Sequence, residues 1–315
     1  MDLCVVIKGM SFLLQTSMGI LGNCIILFAY IQVLCKLTLI DIILSQIAFA
    51  NTMVLLTRGV PQTMTVFESE HILDDVGCKT VIYLYRIVRA LSVCMTCLLS
   101  VFQAVTLMPV NSRWSHLKTI VPKHLVSWIT CIWLLNMAVC IAAPFFSSTP
   151  RNGTIQKFTL NLGFCHVHFP DQVGYIINGV AVSVRDFIFV ILMVLASVYI
   201  LLILYRHHRQ VQGIKSSNNS QKTVAETKAA RTVLQLVLLY VIFFGIDNII
   251  WIYMLTVTQV PVLVTDMRVF FSSCYASFSP LIIIGSNRRI QNIYKFAFKK
   301  EKLSRPDVYV SHVKV

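Results

Sequence analysis

Arg86 and Arg89 stand three residues apart in "YLYRIVRAL", residues 83–91, a run otherwise made of Tyr, Leu, Ile, Val and Ala. Three residues turn an α-helix through about 300°, so the two guanidinium heads lie within roughly 60° of each other on its surface. Guanidinium groups bind carboxylate or sulfate oxygens through paired N–H donors, and a fork of two suits a bidentate anion. Inside an apolar segment each such charge costs about 2.5–3.5 kcal/mol on insertion scales, so it needs a partner or a task. The other charges set in apolar runs are Asp41, Arg58, Arg185 with Asp186, and Asp247.

The elements that must position these charges are membrane helices. Of 315 residues, 57% are hydrophobic and 13% charged, and mean hydropathy is +0.74, outside the range of ordinary water-soluble domains. Apolar stretches of membrane-crossing length recur near residues 10–34, 38–62, 78–108, 123–146, 174–205, 229–256 and 265–285. Backbone polar groups in lipid must be satisfied within their own segment, so the expected fold is an all-α membrane protein, a seven-transmembrane helix bundle. The longest stretches between spans are 147–173 and 206–228, which leaves no segment for a soluble catalytic domain. A juxtamembrane amphipathic helix is expected over about 287–299, with Ile290, Ile293, Phe296 and Phe298 toward lipid, followed by a short tail, 300–315.

Net charge is +14, a value that alone would suggest nucleic acid, but its distribution points to a membrane. Segments 35–37, 109–123, 206–231 and 286–315 carry 18 of the 27 basic residues and only Glu226, Glu301 and Asp307 of the 13 acidic ones. By the positive-inside rule that side is cytosolic, which places the N-terminus outside and the C-terminus inside. Contact with anionic lipid accounts for much of this basic face. The opening "MDLCVVIKGM" lacks a basic n-region, so the first span is expected to serve as its own signal anchor. Of two glycosylation sequons, Asn152-Gly-Thr lies on the expected outer side and Asn218-Asn-Ser on the inner, so a glycan is expected at Asn152 alone.

Most of the ten cysteines fall in spans, where a thiol behaves as a small hydrophobe, and Cys24, Cys131, Cys140 and Cys274 read as packing residues. Cys94 and Cys97 form a CxxC in mid-membrane without supporting His or carboxylate, so no metal is expected there. Cys78, at the outer start of the third span, and Cys165, in the long loop after the fourth, both sit on the oxidising side, and a disulfide between them is expected to roof the bundle. No Walker loop, HExxH, GxSxG or pocketed acid pair occurs, so neither enzyme activity nor a cofactor is expected.

Seven spans, an outer cysteine pair and a basic inner face together resemble a G protein-coupled receptor. The departures are as informative as the match. Counting from Cys78 to where most rhodopsin-like receptors place the arginine of an acidic-Arg-Tyr triplet reaches Gln103, in "LLSVFQAVTL". The sixth span, "VLLYVIFFGIDNIIWIYML", lacks a Trp-x-Pro kink, and the seventh reads "SFSPLIIIG" instead of Asn-Pro-x-x-Tyr. These departures, with "GNCIILF", "RGVPQTM", "SRWSHLK", "RDFIFVILMVLASVYILLILYRHHRQVQ", "ETKAARTVL" and "NRRIQ", resemble the vomeronasal type 1 receptors and the related fish class A-like olfactory receptors over roughly residues 15–295.

The resemblance implies a plasma-membrane chemoreceptor of sensory neurons that detects small, pheromone-like molecules and signals through an inhibitory-type heterotrimeric G protein. It places ligand contacts about two turns below the disulfide, at Tyr85, Arg86 and Arg89, with Arg185, Asp186 and Asp247 as further cavity residues. Gln103 and the inner-face residues His207, His208 and Arg209 fall at the G protein and switch end. Arg86 and Arg89 bind either an anionic ligand or an internal carboxylate; the internal reading pairs Arg185 or Arg89 with Asp186, and Arg58 with Glu68 or Glu70. Asp247 belongs either to a switch network or to the cavity wall, and Asp41, near the inner end of span two, reads as structural. A transporter would be expected to show an internal repeat or broken short spans, and neither is present. A bitter-taste-type receptor shares the missing triplet but usually lacks the outer cysteine pair.

Overall fold

The computed structural model describes residues 3–32, 37–67, 73–109, 112–149, 159–162, 164–211, 220–257, 262–287 and 290–291. Seven helices are long and apolar enough to cross a membrane. They are α1 (Leu3–Gln32), a second span made of α2 (Leu39–Val54) and α3 (Val60–Val66) joined by a π-helical turn at Leu55–Gly59, then α4 (Asp75–Leu107), α5 (Leu117–Val139), α6 (Gln172–Val211), α7 (Ser220–Thr256) and α8 (Val262–Ser286). Each predicted apolar stretch coincides with one of these spans. Helices α6 and α7 run further than the apolar pattern, because the basic and polar residues beyond it are good helix formers that need no lipid.

Local chemistry fixes several ends. Thr38 caps α2: its hydroxyl accepts from the Asp41 amide while the Asp41 carboxylate accepts from the Thr38 amide at 3.0 Å. Asp41 is thus structural, as the sequence suggests. Asp74 caps α4 by accepting from the Gly77 amide at 2.7 Å.

Helix α4 is the axis of the bundle, and most of its residues from Ile87 to Val105 are buried. At mid-depth a polar network ties four spans to one another. Ser92 donates to Asn51 Oδ1 at 2.7 Å, Asn51 Nδ2 donates to Ser279 Oγ at 2.9 Å, and Asn23 Nδ2 donates to the Ala276 carbonyl at 2.9 Å. Such bonds replace the hydrophobic drive that is weak between helices in lipid. Close backbone approach does the rest where α1 meets α8. A Cβ on Gly19 would come within 2.8 Å of the Ser277 backbone, so only glycine fits.

One end of the bundle is roofed. Three short antiparallel strands, β1 (Ser147–Ser148), β2 (Thr159–Asn161) and β3 (His166–His168), pair in the order β1-β3-β2. The disulfide Cys78–Cys165, with its Cα atoms 5.7 Å apart, ties this sheet to the start of α4. Phe164, Val167 and Phe169 pack beneath it with Ile82 and Ala143. The Thr149 amide and hydroxyl both donate to Asp75 Oδ1, at 2.8 and 2.7 Å, pinning the far side of the lid.

Several expectations fall outside the described residues: the Asn152 sequon, Glu68 and Glu70, and most of the juxtamembrane segment 287–299 with the tail. One is corrected. Ile290 packs into the main core, 1% exposed, rather than facing lipid. Gln291 holds the chain close by donating to the Ile284 and Gly285 carbonyls, and this turns Ile290 inward.

Candidate functional site

Beneath the lid lies a cavity of about 220 Å³. Tyr85, Arg86, Arg89, Arg185, Asp186 and Asp247 all line it, joined by Arg58 and Arg268. Helix α4 brings the first three, α6 brings Arg185 and Asp186, and α7 brings Asp247. The remaining wall is largely apolar and aromatic, with Phe169 from the lid side, Val182 and Gly179 from α6, and Phe244 and Trp251 from α7. Gly179 gives its space to the Trp251 ring, since a Cβ there would meet the indole at 2.7 Å.

The charges pair selectively. Arg89 donates to Asp247 Oδ2 at 2.6 Å and to the Tyr85 hydroxyl at 3.3 Å. Asp247 Oδ1 accepts from Arg268 Nε at 3.4 Å. One buried carboxylate therefore links α4, α7 and α8. Arg185 pairs with its own neighbour, Asp186 Oδ1, at 2.9 Å, and lies against the Cys140 sulfur. The pairing of Arg89 with Asp186 that the sequence allowed is not the one formed, because Asp247 reaches Arg89 directly and Arg185 already holds Asp186.

Arg86 is different. Its one hydrogen bond among the described residues goes to a neutral acceptor, Asn178 Oδ1, at 3.1 Å. Arg58, in the π-helical turn of the second span, lies over the Tyr85 ring with its guanidinium carbon 4.8 Å from the centroid. Asp247 lines the cavity and also joins three helices through its two arginine partners. Five arginines meet two carboxylates in this wall.

Arg268 is the residue that sequence reasoning passed over. It sits just inside the seventh span, where an arginine reads as an interfacial anchor, and its partner lies 21 residues away on another helix. The signal was there: "TDMRV" sets an arginine one turn into an apolar run.

At the opposite end, Gln103 is 1% exposed, and its side-chain oxygen has no donor among the described residues. Arg209 is exposed on the end of α6 with its guanidinium carbon 5.4 Å from the Tyr205 ring centroid. His207 and His208 lie on the same helix, their side chains outside the described set. Cys94 and Cys97 are buried free thiols.

In the lid, His166 and His168 project from alternate positions of β3 with ring centroids 5.8 Å apart. Burial pushes the His166 pKa down, and the neighbouring His168 adds to the effect.

Seven membrane-length helices, a disulfide-held lid and a charged cavity beneath it have the architecture of a seven-helix membrane receptor. The model of the vomeronasal organ pheromone receptor family matches residues 6–296. The chain belongs to that family, and is accordingly a multi-pass plasma-membrane protein of a chemosensory G protein-coupled receptor family, not of an enzyme family. It is 60% identical over 295 residues to "Olfactory receptor class A-like protein 1" of Danio rerio, covering 92% of each chain. It is 32% identical over 306 residues to "Vomeronasal type-1 receptor 1" of Homo sapiens, covering 96% of this chain and 86% of that one. Family membership sets aside the transporter and bitter-taste readings.

Proposed function

We propose that the chain detects a small organic anion in the lidded cavity and passes the signal to a heterotrimeric G protein of the inhibitory type, in chemosensory neurons, with the N-terminus and lid outside the cell. The observation that carries this reading is Arg86. It lines the cavity with a neutral amide as its only hydrogen-bond partner among the described residues, while its neighbours already hold the two carboxylates. A half-buried guanidinium gains more from a carboxylate or sulfate than from an amide, since the anion adds charge pairing and a bidentate fit to the hydrogen bond. The apolar wall formed by Phe169, Phe244 and Trp251 suits the ring or chain of such a ligand.

Activation follows as a population shift. The Arg89–Asp247–Arg268 bridge favours one arrangement of α4, α7 and α8, and an anion that competes for Arg89 loosens that arrangement. Movement of the inner ends of α6 and α7 then exposes the surface bearing His207, His208 and Arg209 to the G protein. The test is a ligand-induced G protein activation assay on cells expressing the full chain, using organic acids and their neutral amides as matched pairs. Activation by acids with amides inactive is expected; amides as potent as their acids would contradict the reading.

A further inference from the structure

The excess positive charge of the cavity sits at two places, and we propose that a second anion subsite, centred on Arg58, lies beside the Arg86 subsite; this rests on the reading that the cavity receives an anion. The occupant is a small anion with several lone pairs: chloride from the medium, or the second acidic group of a doubly acidic ligand.

Around Arg86 there are two cations, Arg86 and Arg185, and one carboxylate, Asp186. Around Asp247 there are three cations, Arg58, Arg89 and Arg268, and that single carboxylate. Both oxygens of Asp247 are committed, Oδ2 to Arg89 and Oδ1 to Arg268. The Tyr85 hydroxyl accepts from Arg89, and Arg58 meets the ring of Tyr85 rather than its hydroxyl. What remains for Arg58 is the face of the Tyr85 ring.

That is thin compensation. Arg58 is only 8% exposed, and its Nε has no partner among the described residues. A cation over an aromatic face is only partly compensated, whereas an ion buried without a counter-charge keeps a large desolvation cost.

The backbone holds Arg58 in this position. It sits in the π-helical turn Leu55–Gly59, which offsets its side chain from the register of α2. The turn is packed tightly against α1, where a Cβ on Gly59 would meet the Thr16 hydroxyl at 2.7 Å. Arg268 uses Nε for Asp247, and its terminal nitrogens engage no acceptor among the described residues. Arg58 and Arg268 therefore both bring unused N–H donors to one cavity that lacks a third carboxylate, which is the donor set a small anion requires.

The experiment uses the full-length receptor purified in detergent, with thermal unfolding followed as chloride replaces gluconate at constant ionic strength. A saturable rise of several degrees in Tm is expected for the native chain. It should be lost in Arg58→Gln and kept in Arg86→Gln. Arg58→Lys, which retains the charge but not the fork, should still respond with its midpoint at about fivefold higher chloride. Doubly acidic compounds should raise Tm more than matched monoacids, and that advantage should vanish in Arg58→Gln. Equal chloride responses in native, Arg58→Gln and Arg58→Lys proteins would overturn the subsite, as would the absence of any response to chloride and to doubly acidic compounds alike. A receptor that binds chloride at Arg58 yet ignores organic acids in the G protein assay keeps the subsite and loses the ligand reading.

Discussion

The two ends of the bundle handle charge in opposite ways. At the lidded end, five arginines and two carboxylates are drawn into the cavity wall, and the bridge through Asp247 ties three spans together. At the other end, the position where most rhodopsin-like receptors keep an arginine is Gln103, a buried neutral amide whose oxygen finds no donor among the described residues. The difference bears on where the proposed switch is held. Ionic restraint on helix arrangement lies in the cavity wall, so in the proposed mechanism binding acts on it directly rather than through a distant latch.

The sharpest way to break this contrast is Asp247→Asn. It leaves Arg89 and Arg268 unpaired, and removing one partner of a buried ion pair costs about 3–5 kcal/mol. A large fall in Tm and in surface expression is expected, with partial recovery in the double variant Asp247→Asn, Arg89→Gln; no change in Tm would show that the bridge restrains nothing. Cys165→Ser comes next. Loss of a structural disulfide costs about 2–5 kcal/mol, and here it frees the lid, so ligand potency should fall together with Tm in a binding assay on purified receptor.

Gln103→Ala should do much less. A neutral amide with an unmatched oxygen contributes little to holding the inactive state, so basal G protein signalling should change only modestly. A large constitutive signal would move the switch back to the inner end.

The smallest effect concerns pH at the lid. The folded state depresses the His166 pKa, so protonation favours the unfolded lid: its stabilising contribution is complete above the ordinary histidine value of about 6.5 and declines as pH falls below it. Hydrogen exchange in β3 should quicken slightly on acidification, and His166→Gln should remove that dependence.

How legible was this in the sequence? The spans were, because hydropathy over about 20 residues is a strong signal in lipid. The disulfide was legible because Cys78 opens a span and Cys165 lies in a long loop, both on the expected outer side. The cavity arginines on α4 announced themselves by their cost. Their pairing did not: Arg89 and Asp247 lie 158 residues apart, and which acid reaches which base depends on helix rotation that charge counts do not contain. Arg268 escaped for the same reason, and Ile290 was misplaced because an amphipathic pattern names an apolar face without saying whether lipid or protein covers it.

That Arg86 is a cavity cation open to the anionic ligand is tested most directly by dose–response curves of Arg86→Gln and Arg89→Gln to an acidic agonist, corrected for surface expression. Loss of a charge-assisted hydrogen bond of about 1.5–3 kcal/mol corresponds to at least a tenfold loss of potency in Arg86→Gln. In Arg89→Gln the main expected change is in basal signal and stability, because Asp247 Oδ2 loses its partner while Oδ1 keeps Arg268. Undiminished potency toward the acid in Arg86→Gln would contradict the account.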